Sequence, residues 1–256
     1  MQIVKIESLL DIMKSKIGSI SEASEIGTSE TSGIKGVNKT YKLTNKKGDH
    51  FCFKPASQEH TSRWRYVPAH SQFRRERCAY LIDQKLGFGI VPETKIIKFK
   101  GEIGSIQEWV DAEHTPDITL QKYSTTTIWK VGLLDLLIGQ IDRHKNNWLD
   151  YDHTVAAIDN GFSMPISAQA NDPRSVILSR FAFRIWNKEI PQKFLDRIKL
   201  LKDTGFQKHI KNLLEPQAFQ LFLRRVNELL NTNVAKVSGY RCVEKIHGIP
   251  KMKGEV

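Results

Sequence analysis

Three side chains in the middle of the chain have the types and spacing that phosphoryl transfer uses. They lie in Ile141-Asp142-Arg143-His144-Lys145-Asn146-Asn147-Trp148 and Ala157-Ile158-Asp159-Asn160-Gly161. Asn147 follows Asp142 by five residues, and Asp159 follows Asn147 by twelve. In such a transfer one acid orients the attacking hydroxyl, an amide holds a divalent ion, and a second acid anchors that ion against the triphosphate. Magnesium prefers hard oxygen ligands, which Asn147 and Asp159 would supply. Taken singly, each residue is an ordinary turn or cap. Together, and flanked by apolar runs, they carry a stronger signal.

A cation for the phosphates is the next requirement. Lys54 ends a strand-like run, Phe51-Cys52-Phe53-Lys54-Pro55, and Glu76 on the following helix is placed to hold it. Upstream, Gly36 sits in a short turn whose backbone N–H groups suit phosphate oxygens. Glu108-Trp109-Val110 falls where the chain crosses between its two halves, and its backbone suits an adenine edge. His144, Asp150, Asp152 and His153 crowd the catalytic stretch and raise a rival, a metal-dependent phosphohydrolase. No H-x-x-x-H or H-x-H spacing supports that rival. No nucleophile elbow of the Gly-x-Ser-x-Gly type occurs.

The elements that must position these groups follow from periodicity. An amphipathic helix is expected over residues 5–17 and a polar loop over 21–36. Residues 39–43 and 50–54 flank a turn-rich Asn45-Lys46-Lys47-Gly48-Asp49 and predict a hairpin. Residues 55–71 read as a mobile loop and Phe73–Leu86 as a helix closed by Gly87. Two strands follow, 91–99 and 104–110. A polar linker leads to a strongly apolar helix over 128–140. Helices are then expected over 173–185, 191–203, 205–213 and 215–231, before a loosely patterned basic tail, 236–256. The organisation is a strand-rich N-lobe (1–110), a hinge (111–118) and a helical C-lobe (119–256). This is an α+β, two-lobed arrangement with a cleft at the hinge.

Composition sets outer limits. The apolar fraction, 40%, supports a real core across 256 residues. No run reaches the roughly 18 apolar residues of a membrane span, and the first residues lack the apolar stretch of a secretory signal. Cys52, Cys78 and Cys242 are far apart and odd in number, as expected of reduced thiols in a cytosol-like compartment. The net charge of +11 suits an anionic partner such as ATP or an acidic bilayer. Basic residues cluster at Arg63, Arg65, Arg74, Arg75 and Arg77, and at Lys199, Lys202, Lys208 and Lys211. Aromatics do not interleave with them, so no nucleic acid is expected.

Residues 33–166 resemble the phosphatidylinositol 3- and 4-kinase superfamily, most closely its type II 4-kinase branch and small bacterial relatives. Arg77–Gly87 with Ile90–Lys95 looks like that family's helix and following strand. Ser105–Val110 looks like its hinge segment, and Asp142–Leu149 with Ala157–Gly161 like its catalytic and metal loops. The resemblance implies an atypical protein-kinase-like fold and transfer of the γ-phosphate of ATP, with magnesium or manganese, to a hydroxyl. It implies Lys54 for the ATP phosphates, Asp142 for catalysis, and Asn147 and Asp159 for metal. The family's cysteine-rich palmitoylated segment is missing after Lys54-Pro55, where a basic loop, 57–75, stands instead. Its serine-glycine-serine phosphate turn is missing too. The acceptor is therefore an inositol lipid at an anionic membrane surface or the Ser/Thr of a protein, as in effector- or toxin-like relatives. A nucleotide-binding pseudokinase is a remoter alternative. A cytoplasmic or membrane-peripheral location is expected, and delivery into another cell is compatible with it.

Overall fold

The computed structural model describes residues 20–25, 38–59, 66–112, 119–151, 154–169, 172, 175–246 and 249–253. The helix expected over 5–17 and the turn at Gly36 lie outside these residues. The first half builds an antiparallel sheet of five strands, β1 (Ile20–Glu25), β2 (Tyr41–Asn45), β3 (His50–Pro55), β4 (Thr94–Phe99) and β5 (Glu102–Glu108), in the order β1-β2-β3-β5-β4. Turn chemistry fixes its hairpins. The Asn45 side-chain oxygen accepts from the N–H groups of Lys47 and Asp49, both at 2.9 Å, and closes β2 onto β3. Lys100 (φ 47°) and Gly101 (φ 85°) form a two-residue turn with both φ values positive, matching the right-handed twist of the strands it joins.

Helix α1 (Gln72–Leu86) covers one face of this sheet, and the Glu59 carboxylate caps its start. Glu59 accepts from the N–H groups of Gln72 at 2.9 Å and Phe73 at 2.7 Å, where the helix dipole favours negative charge. Gly87 ends α1 in the left-handed conformation, φ 66°. Buried Asp83 then accepts from the N–H groups of Ile90 and Val91 and pins the chain into β4. Leu43, Phe53 and Ile106 form a small apolar cluster on the opposite face of the sheet.

The second half is organised around α2 (Thr125–Ile138). Ser124 caps it, accepting from the Thr127 N–H at 3.0 Å, and Gly139 closes it at φ 60°. Its last eight residues, Val131 to Ile138, are all buried, as expected for a helix that is apolar all round. Around it stand the hairpin β6 (Trp148–Tyr151) and β7 (Thr154–Ala157), strand β8 (Val176–Leu178) and helices α3 (Arg180–Ile185), α4 (Gln192–Lys199), α5 (Thr204–Leu213) and α6 (Pro216–Thr232). Strands β9 (Arg241–Ile246) and β10 (Ile249–Lys253) return to the core, β9 pairing parallel to β8 and antiparallel to β10. Among the described residues, no helix is long and apolar enough to cross a membrane.

Four expectations are corrected. Residues 20–25 pair with β2 as a strand rather than belonging to a loop. The helix expected over 173–185 is strand β8 followed by the short helix α3, because Val176-Ile177-Leu178 pairs with β9. The weakly patterned tail contains strands β9 and β10: Cys242 is fully buried, and Lys253 donates to the Phe183 carbonyl at 3.0 Å. The basic loop 57–75 begins within a 3-10 turn, Ala56–Gln58, and ends inside α1. There Arg75 is wholly buried, donating to the carbonyls of Ser163 and Met164 and to the Glu215 carboxylate.

Two positions give tests of this architecture. A Cβ at Gly104 would stand 2.2 Å from the Lys54 carbonyl oxygen and 2.9 Å from the Phe53 ring. Gly104→Ala should lower stability in urea by about 1–3 kcal/mol, the usual cost of overpacking; an unchanged midpoint would contradict the close approach. Burial lifts the Asp83 carboxyl from its ordinary 3.8 to about 6, against the pull of the Val91 and Ile90 N–H groups and the Lys130 ammonium. The folded state then holds that proton more tightly than the unfolded chain. The contribution of Asp83 to stability therefore falls as pH rises from about 4 to about 6 and is level beyond. Asp83→Asn lacks this titration. The stability difference between the two proteins should change over that window and stay constant above it.

Candidate functional site

Alternation along β3 puts Phe51, Phe53 and Pro55 on one face of the sheet and Cys52 and Lys54 on the other, beneath α1. Buried Glu76 projects from α1 toward Lys54. The Lys54 ammonium donates to Glu76 Oε1 at 2.7 Å and to Asp159 Oδ1 at 2.9 Å. The other Glu76 oxygen accepts from the Asn160 N–H at 3.0 Å. One carboxylate thus joins the strand lysine to the backbone immediately after Asp159. Asp159 itself holds a left-handed conformation, φ 53°, which Asp tolerates better than most residues.

The segment between Asn147 and Asp159 is built on the β6–β7 hairpin. Trp148 pairs with Ala157 at its base, and the Ile158 N–H donates to the Asn147 carbonyl at 3.1 Å. Strand pairing therefore sets the two segments side by side. Asn147 reaches back to the Asp142 turn, its Nδ2 donating to the Asp142 carbonyl at 2.6 Å. The Asp142 N–H donates to Gln140 Oε1 at 3.0 Å, and Asp142 Oδ2 lies 3.7 Å from His144 Nε2.

Charge balance follows from these contacts. Burial alone would lower the Lys54 pKa, but Asp159 and Glu76 raise it well above its ordinary value. Burial opposes the charge on Asp159, and the Lys54 ammonium more than offsets that, holding the carboxyl below its ordinary value. The Lys54–Asp159 bond therefore persists across neutral pH and is lost as acid protonates Asp159 or strong base deprotonates Lys54. The Cys52 thiol, half-buried beside this pair, is pushed up to about 11 by burial.

The donor set fits a magnesium ion carrying nucleotide phosphates. Asn147 spends its NH2 on the Asp142 carbonyl, which leaves Oδ1 for a cation. Asp159 spends Oδ1 on Lys54, and its side chain is 42% exposed. Magnesium needs only one or two such protein oxygens beside phosphates and water. Among the described residues no three His, Cys, Asp or Glu side chains converge as a metal cluster.

The structure thus joins Lys54, Glu76, Asn147, Asp159 and the Asp142 turn through direct contacts. The hinge segment is different. The Glu108 N–H donates to the Glu93 carbonyl at 2.8 Å and the Trp109 N–H to the His50 carbonyl at 3.1 Å. Both N–H groups extend the pairing of β5 with its two neighbouring strands, so neither is free to donate to an adenine edge. The Val110 N–H has no backbone partner among the described residues. The Trp109 ring lies 4.6 Å from the Lys42 ammonium. The Glu108 side chain borders a cavity on the opposite face of the sheet from Lys54, with Phe51, Lys95 and Ile106.

Sequence reasoning missed a buried network behind these loops. Arg143, with no exposed surface, donates to the Asp135 carboxylate, to the carbonyls of Asn147 at 2.8 Å and Ile158 at 2.6 Å, and to Asn160 Oδ1 at 2.5 Å. Ser179 Oγ donates to the other Asp135 oxygen at 2.7 Å. A signal was available: Asp135 is the one carboxylate in the otherwise apolar run 131–138, and a buried charge requires a partner.

No family model matches the chain, and no curated protein does. Solved structures do. The Golgi casein kinase with Mn/ADP bound overlays with a TM-score of 0.52 at 13% identity, over 90% of this chain and 75% of that one. The Helicobacter pylori proinflammatory kinase CtkA gives 0.43 at 14%, over 86% and 94%. Hydra Fam20 with sugar gives 0.49 at 14%, over 91% and 90%. The likeness rests on the Golgi casein kinase overlay and is one of fold. This chain has a two-lobed, kinase-like α+β fold.

The placement of Cys52 is testable. A maleimide should label the native protein at Cys52 alone, since Cys78 and Cys242 have no exposed surface. The rate should keep climbing beyond pH 9, toward about 11. Native labelling at Cys78 or Cys242, or a plateau near pH 9, would contradict the geometry.

Proposed function

We propose that this chain is a kinase that transfers the γ-phosphate of ATP to a hydroxyl. One observation carries the reading. The Lys54 ammonium is bonded to both Glu76 and Asp159, while Asn147 is tied by hydrogen bonds to Ile158 and to the Asp142 turn. A strand lysine, a helix glutamate, a metal acid, a metal amide and a base-bearing turn thus stand in one connected set.

The roles follow from position. Lys54, oriented by Glu76, binds the ATP phosphates. Asn147 Oδ1 and the Asp159 carboxylate hold magnesium or manganese, which neutralises charge on the triphosphate. Asp142 orients the acceptor hydroxyl and takes its proton. The nucleotide base lies against the face of the sheet that carries Cys52, with Val110 N–H as a donor to its edge.

For the acceptor we favour a protein hydroxyl over an inositol lipid. The type II lipid-kinase resemblance supports the lipid, as does the charge of +11. Two observations support the protein. Arg75 and Arg77, which looked like a basic surface in the sequence, are spent on carbonyls, with the Glu215 carboxylate as a further partner of Arg75. The solved structure with the better overlay is a casein kinase.

Asp142→Asn should keep magnesium-dependent ATP binding while phosphoryl transfer falls by at least about 100-fold, the scale of lost general-base catalysis. Asp159→Asn should lose the magnesium dependence of binding itself. Calorimetry with and without magnesium, beside an ADP-release assay, separates the two. Wild-type turnover in Asp159→Asn would end the reading. Labelled ATP offered to cell-lysate protein and to phosphoinositide vesicles decides the acceptor: label in lipid alone would reverse our preference.

A further inference from the structure

We propose that Arg143 is a positioning residue that holds the Asp142, Asn147 and Asp159 segments in one register, with Asp135 fixing the plane of its guanidinium. The inference rests on the kinase reading above and extends it to a residue that touches no substrate.

The guanidinium is a planar fork of five donors, and here its partners lie on separate elements. Asp135 on α2 takes Nε and Nη2 at 3.2 and 3.0 Å. Nη1 reaches the Asn147 carbonyl before the β6–β7 hairpin and the Ile158 carbonyl after it. Nη2 also reaches Asn160 Oδ1 at 2.5 Å. The Arg143 N–H donates to the Leu178 carbonyl at 2.9 Å, anchoring the residue to β8. Arg143 therefore clamps both ends of the hairpin, while the side chain of Asp142, its neighbour, is partly exposed beside His144. Asn160 carries the connection onward through its N–H to Glu76, and Glu76 to Lys54.

Geometry also says what the clamp is not for. A buried ion pair adds little stability beyond a well-packed apolar pair. The carbonyls of Asn147 and Ile158 are what an apolar pair could not satisfy, and they belong to the residues that bracket the proposed metal site. Lysine carries the same charge but cannot serve two carbonyls, an amide and a carboxylate in one plane.

Two variants test this. Arg143→Lys keeps a cation for Asp135. The double variant Asp135→Asn with Arg143→Met removes both buried charges together, so folding does not hinge on an unpaired one. In each, amide exchange at Asn147, Ile158 and Asn160 in the nucleotide-free protein should quicken by about 10-fold or more, while the interior of α2 keeps its protection. The magnesium concentration for half-maximal ATP binding should rise by about 10-fold, as for other outer-shell partners of metal ligands. A lower melting temperature with wild-type loop exchange and wild-type magnesium dependence would make Arg143 structural only and overturn the proposal. A wild-type protein that ignores magnesium and ATP would instead overturn the kinase reading, and the exchange data would still decide the clamp.

Discussion

Glu76 uses both of its carboxylate oxygens, one toward each half of the molecule. One takes the Lys54 ammonium from the sheet, and the other takes the Asn160 N–H from the loop beside Asp159. Its side chain is 3% exposed, so neither partner can be exchanged for water without leaving a buried charge short of a bond. The preceding residue extends the constraint. Arg75 turns to the carbonyls of Ser163 and Met164 and to Glu215 at the start of α6. Two adjacent residues of α1 thus bind the same downstream segment at two points. A rotation of α1 that withdrew Glu76 would break both sets of bonds together. The lysine–glutamate pair is therefore built into the fold as it stands, with no further event needed to form it.

That constraint shapes the electrostatics around Lys54. Lys54 faces two carboxylates, Glu76 and Asp159, so the trio carries a net charge of about −1 at neutral pH. On the kinase reading proposed above, such a site would disfavour a bare triphosphate and favour one accompanied by a divalent cation. On the proposed reading, Asp159 turns its oxygens to the metal and Lys54 turns its remaining donors to phosphate. The Lys54–Asp159 bond then keeps both groups oriented in the absence of nucleotide, which lowers the reorganisation needed on binding. Glu76, with its second oxygen on the backbone, has no comparable freedom and stays with the lysine.

How much of this could be read from the sequence depends on the range of each interaction. The Asn147–Asp159 spacing was legible because a hairpin is local, and its length follows from the residues between. Lys54 and Glu76 were legible as a pair because a strand lysine followed by a helix glutamate is a recognisable order. Strand β8 was not. Three residues, Val176–Leu178, fit a short helix equally well until β9, more than sixty residues later, pairs with them. The tail failed for the same reason, since its strands have meaning only beside β8. Arg75 failed differently. It sits in a run of arginines that looks solvated, and only the fold shows its guanidinium enclosed among carbonyls. At the hinge the pattern, a strand over 104–110, does not say which N–H groups the neighbouring strands take up. The bond from Trp109 to His50 consumes a donor that periodicity leaves free.

Asp135 marks the boundary between these two kinds of information. Its position inside an apolar helix was visible, and physics demanded a cation opposite it. Many basic residues in the chain could have answered that demand, and nothing in the linear pattern ranks Arg143 above Arg180 or Arg225. The structure also gives Arg225 a buried place against α2, where it donates to the Leu137 carbonyl and to the Tyr240 hydroxyl. The difference lies in what each guanidinium reaches. Arg225 joins α6 and the strand region to the core helix. Arg143 joins the core helix to the two segments that carry Asn147 and Asp159. Burial and charge are the same in both cases, so function is distinguished only by which backbone carbonyls are held. That information resides in the register of the β6–β7 hairpin, the local element that brings Asn147 and Ile158 to the same guanidinium.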